Sequence, residues 1–181
     1  LPMSALIKNR TQTVQMDMLQ KGYAQLPHVM NIMGYQSLRP GQEPVIVNIL
    51  AQRDTLCILP TSTGKTACFV IPTLCLNWRT VVFSPLVALM RDQVMGLNAK
   101  GIKAQDVSSM RSEAENNAAI KRWAEGDLQF IYVAPERLHS EAFQEAMNRT
   151  PPDMVVMDEA HCFPGNYVVP TEFGPRTLKD L

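Results

Sequence analysis

Short apolar runs alternate with longer stretches of helical periodicity over most of this chain, and that alternation limits the possible folds more than any other feature. Strands that alternate with helices of about 10–15 residues are typical of strand–helix–strand units, which place their strands parallel in one sheet. Runs that are apolar almost throughout are typical of strands buried on both faces. The predicted strands are 55–59, 80–84, 104–108, 129–133 and 154–157, and the predicted helices between them are 64–76, 86–100, 112–125 and 140–148. We therefore expect an α/β fold in which helices flank a parallel β-sheet.

The start of the chain is expected to form an N-terminal helical extension over residues 1–33. Apolar residues such as Val14 and Met18 recur there at loosely helical spacing. A turn over residues 34–41 then begins a second helix. The division expected from the sequence is thus an extension, 1–33, and one α/β lobe, 34–181.

The charge balance excludes a strongly basic protein that coats nucleic acid, because Lys+Arg and Asp+Glu number 17 each. A local basic stripe would still suffice for a nucleic-acid partner. The four cysteines form no Cys-x-x-Cys pair, and cysteines scattered in apolar runs are typical of a reducing compartment. No run approaches the roughly 18 apolar residues of a membrane span. We expect an intracellular protein, nuclear in a eukaryote or cytoplasmic in a prokaryote. Since the chain begins at Leu1, we also expect it to be a piece of a longer protein.

A Gly-Lys-Thr sequence lies between the first predicted strand and the helix that follows, which is where a phosphate-binding loop stands. Backbone N–H groups and the helix N-terminus hold the phosphate oxygens there. Lys65 would reach the β- and γ-phosphates, and the Thr66 hydroxyl would bind Mg²⁺. The pattern departs from its usual form at Leu59 and Ser62, where glycines are common. The loop residues expected at the nucleotide are Thr61, Ser62, Thr63, Gly64, Lys65 and Thr66.

Two carboxylates directly follow the last predicted strand, 154–157. Asp158 would hold Mg²⁺, and Glu159 would orient or deprotonate the attacking water. His161 would link the nucleotide to a nucleic-acid site. A solvated acidic turn is the alternative, and the phosphate loop upstream makes it the less favoured one. The expected catalytic residues are Glu159, Lys65 and Asp158, with Thr66 and Asp158 on the metal.

With these two motifs in place, the chain resembles superfamily 2 helicases, and most closely the RecQ family. The resemblance spans residues 34–162, with its segments in the family's order. The segments are 34–42, 60–66, 82–93, 132–138 and 158–162. The resemblance implies a RecA-like ATP-binding lobe with a DEAH box and with ATP and Mg²⁺ as cofactors.

The segment 34–42 resembles the adenine-recognition motif of the family. The resemblance implies that Tyr35 packs on the base, that Gln42 makes paired hydrogen bonds to adenine, and that Arg39 supports them. The family has Phe where Leu38 stands. An aromatic and an amide at an ordinary helix start are the alternative.

Two further segments resemble the family's contacts with single-stranded nucleic acid. In 82–93 the implied contacts are Ser84, Pro85, Arg91 and Gln93, and in 132–138 they are Pro135 and Arg137. For Arg91 and Gln93 a solvated helix face is the alternative. For Arg137 it is a structural ion pair with Glu136. Cys162 also matches the family, where it is expected to pack.

The resemblance implies a motor that couples ATP hydrolysis to 3′–5′ translocation and duplex unwinding on single-stranded or forked DNA. It also implies a second RecA-like lobe of the same protein, which this chain lacks. The residues after Cys162 do not match the aromatic-rich loop of RecQ proteins. We therefore expect weak ATP binding, negligible turnover and no unwinding by this chain alone.

Other functions share these motifs. An ATP-gated nucleic-acid clamp, an RNA helicase or remodeller, and a domain that kept the fold without catalysis all stay open. A small-molecule kinase would explain the phosphate loop but not the segments 82–93 and 132–138.

Overall fold

The computed structural model describes residues 3–60, 64–159, 168–169 and 176–177. The chain forms two compact units, residues 1–77 and residues 78–180. Within the residues described, no helix is both long enough and apolar enough to cross a membrane.

The helices of the first unit are α1 (Met3–Met33), α2 (Gln42–Leu50) and α3 (Lys65–Cys75). The first of them, α1, packs against both others. At Gly22 the helix α1 lies close to α2, because a Cβ there would lie 2.6 Å from the Leu50 side chain. The helix predicted over 1–33 is confirmed. The helix α1 packs inside the first unit. The division into an extension, 1–33, and a lobe, 34–181, stays a prediction.

The strand predicted over 55–59 is not formed, and this prediction was wrong. Residues 53–60 have no regular secondary structure. Leu56 and Ile58 are 67% and 85% exposed. An apolar run carries the sequence pattern of a buried strand, but a strand exists only where a neighbouring strand takes up its N–H and C=O groups. None of the described strands pairs with this segment.

The second unit follows the predicted alternation. Its elements are β1 (Thr80–Phe83), α4 (Val87–Ala99), β2 (Ala104–Val107), α5 (Glu113–Ala124), β3 (Phe130–Val133), a 3-10 turn (Pro135–Arg137), α6 (Glu141–Arg149) and β4 (Met154–Met157). A separate antiparallel pair joins β5 (Val168–Val169) to β6 (Arg176–Thr177). The four other predicted strands are therefore confirmed. The predicted N-cap of α5 is also confirmed, since the Ser112 and Glu115 side chains form a capping box.

The main sheet has the order β2-β3-β1-β4, and all of its pairs are parallel. Its register sets Val82 beside Tyr132 and Val156, and sets Phe83 beside Met157. The carboxyl ends of all four strands therefore meet at one edge of the sheet. In open α/β sheets ligands bind beyond that edge.

Alternate residues of the strands face opposite sides of the sheet. One side forms a hydrophobic core with α5 and α6. The core residues from the strands include Val81, Phe83, Val107, Ile131 and Val133, and those from the helices include Ala119, Ile120, Trp123, Phe143 and Ala146. The residues between them on β1 and β3 are buried too. These two strands are thus buried on both faces, as their apolar sequences predict.

Candidate nucleotide and nucleic-acid site

The phosphate loop ends at the N-terminus of α3. Gly64 caps this helix in the left-handed region (φ 74°, ψ 53°), and Lys65 and Thr66 are its first residues, both half-buried. A side chain at Gly64 would be strained by that φ angle and would meet the Gln42 amide at 3.0 Å. The first turn of α3 carries no acidic residue. The N-terminus of this helix is therefore suited to binding an anion, and a lysine and a threonine occupy its first two positions. Thr61, Ser62 and Thr63 lie outside the described residues.

The adenine-motif glutamine is tied directly to this loop. Gln42 is only 4% exposed. Its Oε1 accepts the Arg39 N–H at 2.7 Å, and its Nε2 donates to the Gly64 carbonyl at 3.0 Å. The Gly64 carbonyl also accepts the Ala67 N–H at 3.1 Å. The structure thus brings Arg39, Gln42 and Gly64 together, and the amide that is predicted to bind adenine already links its own loop to the phosphate loop.

Tyr35 lies at the turn after α1. Its N–H donates to the Met30 carbonyl at 2.9 Å, and its ring is 39% exposed. It lines a shallow groove with residues of the last turns of α1, among them Leu26 and Pro27. An exposed aromatic ring in such a groove is suited to packing on a base.

The acidic pair lies at the carboxyl end of β4. The Asp158 N–H donates to the Phe83 carbonyl at 2.8 Å, so sheet pairing continues to this residue. Glu159 follows in the left-handed region (φ 53°), and its N–H donates to Asp158 Oδ1 at 3.0 Å. Both residues are half-buried. His161 lies outside the described residues.

The donor chemistry fits magnesium bound together with a nucleotide. In the described part of the chain no cluster of three or more His, Cys, Asp or Glu side chains could hold a metal by itself. Mg²⁺ is usually held by one or two carboxylates together with substrate phosphates and waters. Asp158 carries a carboxylate of that kind at the end of β4.

Ser84, directly after β1, is too buried in this structure for the nucleic-acid contact that is predicted for it. Ser84 is 1% exposed, and its N–H donates to the Val133 carbonyl at 3.2 Å. Its Oγ has no hydrogen-bond partner among the described residues, and neither does Oε1 of Gln93. Pro85 is half-buried. In this structure Ser84 therefore offers neither its N–H nor its hydroxyl to a nucleic-acid strand at the surface.

Arg137 is paired, but not with the residue expected from the sequence. Its Nη1 lies 2.6 Å from Oε1 of Glu113 at the start of α5, whereas the expected ion pair was with Glu136. The alternative of an ion pair with Glu136 is wrong, because Glu136 and Arg137 are adjacent in a 3-10 turn, where neighbouring side chains diverge. Pro135 is the first residue of that turn and is half-buried.

Arg91 lies near the same end of α5. It is exposed, and its charge helps to lower the pKa of Glu115. The larger causes of that lowered pKa are the hydrogen bonds from the backbone and side chain of Ser112. The structure thus places Arg91 and Arg137, which lie in two separate sequence segments, near the first turn of one helix.

Arg111 is a third arginine at this place, and the sequence motifs did not identify it. It makes two hydrogen bonds to the fully buried Asp106, at 2.9 and 2.6 Å, and lies 3.7 Å from Glu115. The available signal was the Ser-x-x-Glu capping pattern of 112–115, which places a helix start immediately after Arg111.

The chain thus combines an α/β fold with two motifs, a Gly-Lys-Thr sequence at a helix start and an acidic pair at a strand end. The model of the DEAD/DEAH box helicase family matches residues 39–175, which is more than half of the chain. The chain therefore belongs to the DEAD/DEAH box helicase family, and the predicted superfamily is confirmed.

Individual relatives support the RecQ-like assignment within that family. The chain is 40% identical over 131 residues to the ATP-dependent DNA helicase RecQ of Pasteurella multocida. This alignment covers 72% of the chain and 21% of that protein. It is 37% identical over 146 residues to RecQ of Bacillus subtilis, covering 80% of this chain and 24% of the relative. The chain thus spans about a quarter or less of the length of these curated relatives. Over that part the chain is similar to these RecQ helicases, and the family that it belongs to is the DEAD/DEAH box helicase family.

A solved structure supports the fold. The crystal structure of a hypothetical ATP-dependent RNA helicase from Sulfolobus tokodaii superposes with a TM-score of 0.62 at 19% identity. The match covers 76% of this chain and 41% of the other. At this identity the similarity is one of fold, and it confirms the predicted α/β class.

Proposed function

We propose that this lobe binds Mg-ATP and single-stranded DNA and that, in the protein that contains it, ATP hydrolysis drives 3′–5′ translocation and duplex unwinding. The observation that carries the proposal is the pair of hydrogen bonds made by Gln42, which links the adenine motif to Gly64 at the start of the phosphate loop helix. When a motif that recognises the base is hydrogen-bonded to a loop that holds the phosphates, the two together are suited to binding a whole nucleotide. The similarity to proteins named ATP-dependent DNA helicase RecQ supports the choice of DNA as the substrate.

Each nucleotide-binding residue has a role that follows from its position. Lys65, at the first position of α3, would neutralise the β- and γ-phosphates, and Thr66 and Asp158 would hold the metal. Magnesium supplies positive charge that stabilises the charge developing on the transferred phosphoryl group. Glu159 would orient the attacking water and take its proton. Tyr35 would pack on the base.

Gln42 can serve both the loop and a base. An amide nitrogen carries two donor hydrogens and an amide oxygen two lone pairs. One donor is used on Gly64 and one acceptor site on the Arg39 N–H. The paired bonds to adenine that the family resemblance implies would engage the second donor hydrogen and the second lone pair of this amide.

The nucleic-acid strand would cross the end of α5 where Arg91 and Arg137 lie. Arginine is suited to phosphate because its planar group donates two parallel hydrogen bonds. The Glu113 carboxylate, which pairs with Arg137 in this structure, is exposed, and ion pairs with exposed carboxylates are weak. Pro135 and Gln93 flank these arginines in the sequence, and Ser84 would need to become exposed before it could take part.

The proposal also includes a second RecA-like lobe of the same protein, contributed by sequence beyond this chain. In a two-lobe motor the nucleotide lies between the lobes, and its binding and release drive closure and opening. We expect this chain alone to bind ATP weakly and to hydrolyse it negligibly. Such a motor would work inside the cell, where ATP and DNA are found.

ATP hydrolysis by the longest form of the protein tests the proposal, with and without single-stranded DNA or RNA. We expect DNA to stimulate turnover and Lys65→Ala to abolish it. Lys121→Ala is the matched control, because Lys121 lies on an exposed face of α5, where its only described ion pair is with Glu125. Its activity should equal that of the wild type.

Three results would contradict the proposal. Absence of stimulation in a folded protein that binds ATP would favour a nucleotide-gated clamp. Stimulation by RNA in preference to DNA would favour an RNA remodeller. Equal loss of activity in the two lysine variants would show that the effect is not specific to the phosphate loop.

A further inference from the structure

The first turn of α5 carries two glutamates, and each of them faces an arginine. Glu113 Oε1 lies 2.6 Å from Nη1 of Arg137, and Glu115 Oε1 lies 3.7 Å from Nη1 of Arg111. Acidic residues in the first turn of a helix are stabilising by themselves, so their presence there needs no further reason. The choice of partner does, because Arg137 lies 24 positions from Glu113 and is one of the residues proposed to contact a nucleic-acid strand.

The two glutamates differ in how firmly they are held. Glu115 belongs to the capping box, where its Oε2 accepts the Ser112 N–H at 2.8 Å and the Ser112 hydroxyl at 2.9 Å. Glu113 takes no part in that box. Within the described part of the chain, its carboxylate makes a hydrogen bond only to Arg137. Glu113 can therefore leave its partner without disturbing the cap of the helix.

The two members of the Glu113–Arg137 pair differ in exposure. The Glu113 side chain is 70% exposed and the Arg137 side chain 21%. The backbone of Arg137 is fixed in its 3-10 turn, since its N–H donates to the Ala134 carbonyl at 2.9 Å and its carbonyl accepts the Ser140 N–H at 3.0 Å. When the pair opens, it is therefore the glutamate side chain that is free to turn into solvent.

A carboxylate and a phosphodiester make the same kind of contact with arginine. Each presents two oxygens to the planar guanidinium, which donates parallel hydrogen bonds to either group. In this structure Nη1 of Arg137 already donates to Glu113. A strand phosphate that approaches this nitrogen meets the like charge of the glutamate, so a full contact with the arginine requires that the glutamate be displaced.

We propose that Glu113 holds Arg137 in the absence of a strand and competes for it with the phosphodiester of single-stranded DNA. The carboxylate stands in for a phosphate and lowers the affinity of the lobe for single strands. Because exposed ion pairs are weak, a strand that is also held by neighbouring contacts can displace it. This inference rests on the proposed function, in which Arg137 contacts the strand.

Glu113→Gln tests the inference, because it removes the charge and keeps both the size of the side chain and the capping box. Binding of a fluorescein-labelled oligothymidine to the longest form of the protein is followed by fluorescence anisotropy. The salt concentration is about 0.15 M, where exposed charges more than about 8 Å apart are largely screened.

Glu141→Gln is the matched control, since it makes the same change of charge near the same 3-10 turn. Glu141 is likewise the exposed first residue of a helix, α6. None of the ion pairs among the described residues involves it.

We expect Glu113→Gln to bind the oligothymidine about threefold more tightly than the wild type, within the range of about 1.5- to 5-fold that exposed ion pairs span. Glu141→Gln should stay within about 1.5-fold of the wild type, because it breaks no ion pair. Arg137→Ala should bind more weakly, and the addition of Glu113→Gln to it should bring no further change, since the two effects are coupled. The melting temperature of Glu113→Gln should stay within about 3 °C of the wild type, as expected for loss of a weak pair.

An affinity of Glu113→Gln equal to that of the wild type, with weaker binding by Arg137→Ala, would overturn the inference and leave the proposed strand contact intact. An equal gain in Glu141→Gln, or a gain that persists in the Arg137→Ala background, would overturn it as well, because the effect would then be one of net charge. If Arg137→Ala binds the oligothymidine as tightly as the wild type, the proposed strand contact and this inference fail together.

Discussion

Replacing Gln42 by glutamate tests whether its amide holds the adenine motif and the phosphate loop together. The substitution keeps the size of the side chain and keeps an acceptor for the Arg39 N–H at 2.7 Å. It removes the donor that reaches the Gly64 carbonyl at 3.0 Å and replaces it with a charged oxygen. At 4% exposure, water does little to screen the new contact between carboxylate and carbonyl.

The expected loss can be worked out from these contacts. A lost hydrogen bond of this kind costs about 1 kcal/mol. The Gly64 carbonyl keeps the Ala67 N–H at 3.1 Å, so it is not left without a partner. Burial of a carboxylate that faces the Gly64 carbonyl adds a cost of at least similar size. We expect Gln42→Glu to be about 2 kcal/mol less stable than the wild type at about pH 8, where the carboxylate is ionised.

The deficit should shrink in acid. Burial and the facing Gly64 carbonyl raise the pKa of the new glutamate in the folded state above its unfolded value of about 4.3. A group whose pKa is raised by folding stabilises the protein at low pH and loses that contribution as the pH rises through the folded pKa. Once protonated, the carboxylic acid can also donate to the Gly64 carbonyl. The gap to the wild type should therefore be smaller at about pH 5 than at about pH 8.

Urea unfolding followed by far-ultraviolet circular dichroism measures the free energy at both pH values. The same substitution at Gln12, an exposed residue of α1, is the control, and it should leave stability within about 0.5 kcal/mol. ATP affinity should fall in Gln42→Glu and stay unchanged in Gln12→Glu. A Gln42→Glu variant as stable as the wild type at pH 8, or a deficit that does not depend on pH, would refute the role of the amide as a link between the loops.

Two further predictions concern charge and thiol chemistry. Arg137→Ala should weaken the binding of single-stranded DNA and lower the salt slope of the affinity by about 0.7, as expected for one lost phosphate contact. The control is Arg149→Ala, which replaces an exposed arginine at the end of α6 and should change neither quantity. An equal effect in both variants would contradict a specific contact at Arg137. Burial raises the pKa of Cys68 to about 12 and that of Cys75 to about 11. Because only the thiolate reacts, iodoacetamide at neutral pH should modify the half-buried Cys57 before Cys68 or Cys75. Peptide mass spectrometry would show the order of labelling. Faster labelling of Cys68 would contradict the prediction.

The alternation of strands and helices was predictable because it depends on local patterns. The strands from Thr80 to Met157 were found because each apolar run is bounded by turn residues and followed by a helical stretch. The same pattern failed at 55–59, where the run is apolar but no described strand pairs with it. Apolar character predicts that a segment is suited to a sheet, whereas pairing depends on a partner that the segment itself does not encode.

The candidate site divides in the same way. Gly64 at a helix start and Asp158 at a strand end follow from local sequence, and the structure places both there. The bond from Gln42 to Gly64 and the pair of Arg137 with Glu113 join residues more than twenty positions apart. No spacing rule within a motif specifies such contacts. The burial of Ser84 likewise depends on what covers the sheet edge.

The distribution of the unpaired buried groups supports a functional reason for them. In the described residues there are four such side-chain atoms, and three lie within two residues of the carboxyl end of a strand in the main sheet. Each costs about 1–3 kcal/mol if it has no partner. Groups that served packing alone would be replaced by alanine, valine or phenylalanine without loss, and they would have no reason to collect at one end of the strands. In a parallel sheet, that end is where ligands bind, so it is their position at this end, and not packing, that distinguishes these three groups.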